Sequence, residues 1–318
     1  MGSAHARAYM ALRGKDVELA AVFSRDSKRA KTLAKEVGAA AMTRPERILA
    51  DDSIDAIDVC LPSALHRRFT VSALEHGKHV VCETPMALSL ADADAMINSA
   101  KRNRRILTIA QVMRFVAPYV RARKEVASGH LGSPATLVAR RLSRPYWSRA
   151  RRRSFRVYGE PLVELSVHDF DVANWFLGRP ESVLASGVVD GTGAVVHSFV
   201  AITYRKSRAL VEGSATMPSG FPFTTALRVQ CERGVVDLQA QFIGGTVPTE
   251  QFHLYSPDGR KSVKIGGQDP YYLECLHFVR CVQKRADPGV MSPQSELEAL
   301  RVAFAARQSI RNGRLIHL

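Results

Sequence analysis

The sequence predicts an α/β protein of two domains, and three observations carry that prediction. The first third alternates short, near-continuous apolar runs with helical stretches, as strands buried on both faces of a parallel sheet require. After Arg114 the apolar runs lengthen and alternate with polar positions, as a sheet with one wetted face does. The length, 318 residues, suits two domains better than one small core. The boundary falls near residue 113, giving domains 1–113 and 114–318.

Element by element, MGSAHARAYMALRG at the start reads as a helix. VELAAVF (17–23) reads as a strand, and SKRAKTLAKEVG (27–38) as a helix stopped by glycine. AIDVCLP (56–62) is a buried strand ended by proline, followed by the helix HRRFTVSALEHG (66–77). HVVCETP (79–85) is a strand, SLADADAMINSAKRN (89–103) a helix with Ser89 as N-cap, and RILTIAQ (105–111) a strand. Strand, helix, strand in this rhythm is the doubly wound nucleotide-binding pattern. Beyond the boundary come a helix near 118–128, the strand ATLVARRL, and a helix LVELSVHDFDVANWFLG closed by Gly178. Five alternating strands follow (ESVLASGVV, SFVAITYR, RALVEGSATM, FTTALRVQCE, VVDLQAQF), then two helices from about Tyr271 and about Pro293. No internal repeat or low-complexity linker interrupts them.

A doubly wound dinucleotide domain opens with a strand, then GxGxxG, then a helix whose N-terminus receives the pyrophosphate. This sequence opens on that helix, with Gly2 in the place of the third glycine and Ser3 beside it. The first strand normally lies mid-sheet, so a domain without it has two interior edges unpaired. The expectation is that Met1 is an internal methionine of a longer protein.

Composition narrows the partners. No apolar run reaches the roughly 18–20 residues that cross a bilayer, and the N-terminus lacks the basic and apolar regions of a signal peptide. Ala6 stands where a myristoylation motif has Ser or Thr. The five cysteines, Cys60, Cys82, Cys231, Cys275 and Cys281, are scattered with no CxxC pair. That argues for reduced thiols in the cytoplasm, and no metal site is expected. The formal charge is +15, with a dense arginine patch in RRLSRPYWSRARRRSFR (140–156). Such a patch suits a nucleic-acid surface, a solvated loop or an anion-binding rim. No zinc finger, helix-turn-helix or aromatic RNA-binding signature accompanies it, and nucleic acid is not the expected partner. Arg149 and Arg151 to Arg153 hint at an acidic or phosphorylated substrate.

Five segments, MGSAHARAY, AVFSRDSKRA, AIDVCLPSALH, HGKHVVCETPMAL and ELSVHDFDVANWFLG, resemble in order and spacing the glucose–fructose oxidoreductase / inositol dehydrogenase / rhizopine catabolism family. The resemblance spans nearly the whole chain. It implies an N-terminal Rossmann domain that binds NAD or NADP, and a C-terminal α+β domain with an open, mostly antiparallel sheet. It also implies a sugar, cyclitol or related polyol as substrate, and a homo-oligomer, dimer or tetramer, formed through that sheet.

Several residues acquire roles from it. The second strand of the fold ends in Phe23-Ser24-Arg25, where NAD-preferring domains place an acid for the ribose 2′-hydroxyl. Ser24 and Arg25, with Lys28 assisting, suit a 2′-phosphate instead, so NADP(H) is favoured over NAD(H). Leu61, Pro62, Ser63 and His66 match the family loop that lies against the cofactor, as do Glu83, Thr84 and Pro85. In that second loop the family usually has Glu-Lys-Pro, with the lysine supporting acid–base chemistry; Thr84 replaces it and can offer only a hydrogen bond. In VHDFDVANW, His168 matches the family's base, which takes the alcohol proton as hydride leaves carbon. Glu164, four residues earlier, is expected on the same helix face, orienting the imidazole and favouring its charged form. Asp171 is expected to fix the helix, and Asp169 either to do so or to react. Arg114 is a candidate substrate contact or hinge residue, and Tyr271 and Tyr272 are packing residues. Two rival functions stay open: glycoside cleavage or elimination assisted by a tightly held NAD, and a non-catalytic member that senses a sugar or nucleotide.

Overall fold

The computed structural model describes residues 1–145, 155–243 and 246–318. They form two compact units, Met1–Phe115 with Gln268–Gln294, and Val116–Gly267 with Ser295–Leu318.

The first unit starts with α1 (Gly2–Ala11), β1 (Ala21–Phe23), α2 (Ser27–Val37), β2 (Ala40–Met42) and α3 (Pro45–Leu49). It continues through β3 (Ala56–Val59), α4 (His66–Glu75), β4 (His79–Glu83), α5 (Leu90–Arg102) and β5 (Leu107–Ala110). All its strand pairs are parallel. β1 pairs only with β2, while β3, β4 and β5 form a separate sheet in that order. In the doubly wound order a first strand would lie between these two groups; the described residues place no strand there. β1 is shorter than the expected 17–23, and β2 and α3 are additions to the predicted elements. Caps follow the sequence closely: Asp26 accepts the N–H groups of Lys28 and Arg29, Ser89 accepts that of Asp92, and Gly38 ends α2 in the left-handed region.

The second unit runs through α6 (Ala117–Ala127), β6 (Pro134–Leu142), α7 (Phe155–Tyr158), α8 (Pro161–Glu164) and α9 (Val167–Leu177). Then come β7 (Pro180–Val189), β8 (Val195–Tyr204), β9 (Arg208–Ser214), β10 (Phe223–Cys231), β11 (Gly234–Ile243), β12 (Thr246–Ser256) and β13 (Gly259–Ser262). After them in the chain stand α10 (Pro270–Lys284), which belongs with the first unit, α11 (Pro293–Asn312) and β14 (Ile316–His317). Nine strands make one sheet among the described residues, in the order β13-β12-β11-β10-β6-β9-β8-β7-β14. Only β6 and β9 run parallel; the other pairs are antiparallel. One face buries Val183, Val200, Ile202, Val211, Leu227 and Leu238, with α8 and α9 packed on β6, β8 and β9. The other face exposes Leu184, Phe199 and Leu210. Leu184 pairs with Ala201, and Ala201 with Leu210, so they form one row across three strands.

Two expectations need correction. Residues 268–294 belong with the first unit, although the sequence boundary placed everything after 113 in the second. The cause is α10, whose Cys275, Phe278 and Val279 join Ala8 and Tyr9 of α1, its C-cap Leu12, and Val81 of β4 in one apolar cluster. The single helix expected over 162–178 is two helices, α8 and α9. Ser166 at the break is 2% exposed, and its Oγ occupies the space that a Cβ on Gly213 of β9 would need. The glycine lets the turn seat against the strand. No helix among the described residues is long and apolar enough to cross a membrane.

Candidate active site

In the first unit the expected cofactor residues cluster at the C-terminal ends of the strands. Gly2 opens α1 without a side-chain cap, and a Cβ there would meet Cys60 Cβ at 3.4 Å. The helix start thus lies close against the end of β3, which is the packing role a third glycine serves. Its leading N–H groups, Gly2 and Ser3, make the anion-seeking end of a helix macrodipole.

At the end of β1, Ser24 Oγ accepts the backbone N–H of Asp26 at 3.2 Å. The Asp26 carboxylate is committed to capping α2, at 3.0 Å from Lys28 N and 3.2 Å from Arg29 N. Arg25 and Lys28 are exposed beside it. This corner therefore presents two exposed cations and holds its acid in the helix cap.

The two cofactor-side loops are tied together from beneath. His66 is 1% exposed. Its Nδ1 lies 2.9 Å from the Pro85 carbonyl oxygen and its Nε2 2.6 Å from that of Leu61. Burial lowers its pKa, outweighing the two carbonyls and Glu83, which favour the charged ring. A neutral ring has one N–H, so it donates to one of these carbonyls. His66 is thus spent on positioning Leu61, Pro62 and Ser63 against Pro85. Ser63 is buried in the turn Ser63–Leu65, and Thr84 is half-buried.

Glu83 turns inward. Its Oε1 lies 3.2 Å from Nε2 of His5 on α1, and its Oε2 accepts the Thr84 N–H at 3.3 Å. His5 is 2% exposed and meets Asp58 Oδ2 at 2.8 Å and Glu274 Oε1 at 3.4 Å. Burial opposes the charged ring, but Asp58, Cys60 and Glu274 around it raise its pKa well above the ordinary value. His5 and Glu274 carry no local signal in the sequence, and Asp58 carries one: it interrupts the otherwise apolar strand AIDVCL. Arg114 closes the 3-10 turn Val112–Arg114 after β5. Lys15 Nζ donates to Tyr272 Oη at 2.6 Å, and Tyr271 packs its ring 6.0 Å from that of His5.

In the second unit, Glu164 ends α8 and His168 lies in the first turn of α9. They belong to two helices joined by Leu165 and Ser166, both in the right-handed helical region. Dehydration, and then the Arg141 guanidinium, lower the His168 pKa to about 3. Its imidazole is therefore neutral and carries a lone pair. Arg141 is held by Asp169, with Nε to Oδ2 at 2.7 Å and Nη2 to Oδ1 at 3.1 Å, both side chains buried. Asp169 is thereby a positioning residue for the arginine. Burial raises its pKa despite Arg141. Asp171 is buried on the same helix.

Within the arginine patch, Arg141 is consumed by Asp169, and Arg140 Nε meets Glu212 Oε2 at 3.0 Å. Arg149 and Arg151 to Arg153 lie outside the described residues.

Comparison with known proteins matches both halves of the chain. Residues 1–111 match the model of the oxidoreductase family with an NAD-binding Rossmann fold. Residues 119–237 match that of the GFO/IDH/MocA C-terminal domain. The chain is 25% identical over 304 residues to a scyllo-inositol 2-dehydrogenase (NAD(+)) of Bacillus subtilis, covering 91% of this chain and 85% of that one. It is 28% identical over 314 residues to a D-xylose 1-dehydrogenase (NADP(+)) 2 of Haloferax volcanii, covering 97% and 94%. The crystal structure of an aldose-aldose oxidoreductase from Caulobacter crescentus, complexed with glycerol, shares the fold. It has a TM-score of 0.85 at 23% identity, covering 98% of this chain and 96% of the other.

Proposed function

We propose that this chain, which belongs to the GFO/IDH/MocA family of oxidoreductases, is an NAD(P)-dependent dehydrogenase acting on a hydroxyl-bearing carbon of a sugar, cyclitol or related polyol. The match of 1–111 to an NAD-binding Rossmann fold carries this reading. Relatives that act on inositol and xylose support the substrate class. When bound, the nicotinamide supplies the hydride acceptor or donor.

The residues divide the work. Gly2 and Ser3 at the start of α1 hold the pyrophosphate. Leu61, Pro62, Ser63, Glu83, Thr84 and Pro85 form the wall against the cofactor, with His66 fixing that wall from behind. Arg25 and Lys28 bind a 2′-phosphate, so NADP(H) is preferred. His168, neutral at rest, accepts the substrate hydroxyl proton on its ring nitrogen. Glu164 and Arg114 contact substrate, and Thr84 contributes a hydrogen bond where relatives use an ammonium. The exposed apolar row Leu184–Ala201–Leu210 supports a homo-oligomer, dimer or tetramer, through the nine-stranded sheet. Five free thiols suit a reducing compartment such as the cytoplasm.

The test is reduction of NADP+ against a panel of cyclitols, aldoses and glycosides. Turnover on a polyol, falling about 10²- to 10⁴-fold in His168→Asn with cofactor binding intact, is the expected result. Folded protein that binds neither cofactor nor any polyol would refute it. Glycoside cleavage with no net change in cofactor would replace it by a hydrolase or lyase on the same fold.

A further inference from the structure

Asp58, Glu83 and Glu274 converge on one imidazole. Nδ1 of His5 lies 2.8 Å from Asp58 Oδ2. Nε2 faces Glu83 Oε1 at 3.2 Å and Glu274 Oε1 at 3.4 Å. The four residues come from α1, β3, β4 and α10, all in the first unit. His5 is 2% and Glu274 1% exposed. Nδ1 has one carboxylate to itself, whereas the single Nε2–H is contested by two.

That competition decides where protons sit. Both oxygens of Glu274, and Oε1 of Glu83, lack a hydrogen-bond partner among the described residues. A buried carboxylate with neither a hydrogen bond nor a cation of its own is costly, and taking up a proton removes that cost. Burial, with Glu83 and Asp58 adding to it against the pull of His5, raises the Glu274 pKa to about 7. Burial opposes the charged His5 ring, but Asp58 and the groups beside it raise its pKa well above the ordinary value, so the ring is an imidazolium on both sides of neutrality. Burial pushes up Tyr271 and Cys275 on α10, Tyr9 on α1 and Cys60 after β3, so all four stay neutral. The turn Val112–Arg114 also packs on α10 and carries Arg114, while Lys15 donates to Tyr272 instead.

We propose that Glu274 and His5 are positioning residues for the wall at Thr84 and act as a proton-linked switch. With Glu274 protonated, the Nε2–H of His5 goes to Glu83 Oε1. The other oxygen of the same carboxylate, Oε2, accepts the Thr84 N–H at 3.3 Å. When Glu274 ionises, its proton goes to solvent, and the new carboxylate draws the Nε2–H away from Glu83. Glu83 is then held at one end only, and its tie to Thr84 loosens. Thr84 and Pro85 belong to the cofactor wall proposed above, so the link to cofactor affinity rests on that reading. The proton and the Thr84 tie do not.

Infrared spectroscopy and amide exchange test the switch on the full chain without cofactor. A carboxylic-acid C=O band is expected in the wild type, lost as pH rises through about 7, and absent in Glu274→Gln. The Thr84 amide, read by NMR hydrogen exchange against that of Cys82 and corrected for intrinsic base catalysis, should lose protection about 3- to 10-fold across the same window. Glu274→Gln should hold that ratio constant; the wild-type ratio needs no variant. NADPH affinity, read by fluorescence, should fall over the same window by more in the wild type than in Glu274→Gln. A wild type with no acid band titrating near neutrality, or with a constant Thr84-to-Cys82 ratio, overturns the switch. So does a band or a ratio that titrates alike in Glu274→Gln. A chain in which both titrate as expected, yet which binds no NADPH at any pH, keeps the switch and refutes the cofactor reading instead.

Discussion

The two units each bury a group of charges, and they do so in opposite ways. In the second unit, one arginine meets one aspartate through two near-parallel bonds, 2.7 and 3.1 Å. In the first unit, one histidine meets three carboxylates and a thiol. The first arrangement is closed: each charge has a matched partner, and the planar guanidinium fits the carboxylate edge to edge. The second is open, because the acids outnumber the cation. A closed pair stabilises by itself only modestly but is costly to break, whereas an open cluster gains stability by taking up protons.

Breaking the closed pair should produce the largest effect. Arg141→Met leaves Asp169, 0% exposed, as an uncompensated buried charge, and should cost about 3–5 kcal/mol in urea unfolding. Arg141→Met combined with Asp169→Leu should recover most of that loss. If the single variant costs under about 1 kcal/mol, the pair is not closed and the contrast between the units disappears.

The open cluster should respond to a comparable change with the opposite sign. Burial, with Glu83 and Asp58 adding to it against His5, raises the Glu274 pKa from 4.5 to about 7. A carboxyl whose folded pKa is raised binds more protons folded than unfolded between those values. Its contribution to stability is present below pH 4.5 and is lost as pH rises through about 7. Glu274→Gln should therefore stabilise the chain at alkaline pH, on the order of 1–3 kcal/mol, and flatten this part of the pH profile. A loss of stability at alkaline pH would mean that the charged acid is already matched.

His168 sharpens the comparison from the other side, because its neighbour is the closed pair's arginine. Its folded pKa, lowered from 6.5 to about 3, means that stability is present above pH 6.5 and is lost as pH falls toward about 3. His168→Asn should remove that acid limb, a gain of about 1 kcal/mol relative to wild type one pH unit below 6.5. Chemical denaturation across this window measures it. An unchanged limb would place the titration on another group.

How much of this was legible from sequence depends on the range of the interaction. The parallel strands, their helices, the N-cap at Ser89 and the glycine stop at Gly38 are local, and apolar periodicity together with cap chemistry makes them legible. β12 and the edge strand β13 carry little apolar signal in stretches such as Thr249-Glu250-Gln251 and Gly259-Arg260-Lys261. The break between Glu164 and Val167 depends on Gly213, some fifty residues away in β9, and no window along the chain contains both. The same holds for the His5 cluster: Asp58 in a strand of apolar residues hinted at a partner, but nothing local named His5 or Glu274. The family resemblance identified positions such as His168 and Thr84, yet it could not give the sign of the charge beside His168.

Arg140 and Arg141 show that limit within one dipeptide and supply the smallest expected effect. Both belong to the basic patch, and composition treats them alike. A strand turns successive side chains to opposite faces, so β6 buries Arg141 on Asp169 and leaves Arg140 56% exposed beside Glu212. An exposed ion pair gains little in water and is screened by salt. Arg140→Ala should therefore cost under about 1 kcal/mol, and less still at high ionic strength. Arg141→Met should be nearly insensitive to salt, since its partner is dry. Measured side by side in low and high salt, the two variants separate a wetted charge from a buried one. Equal costs would mean that strand alternation does not govern this stretch, and the assignment of Arg141 to the neighbourhood of His168 would have to be withdrawn.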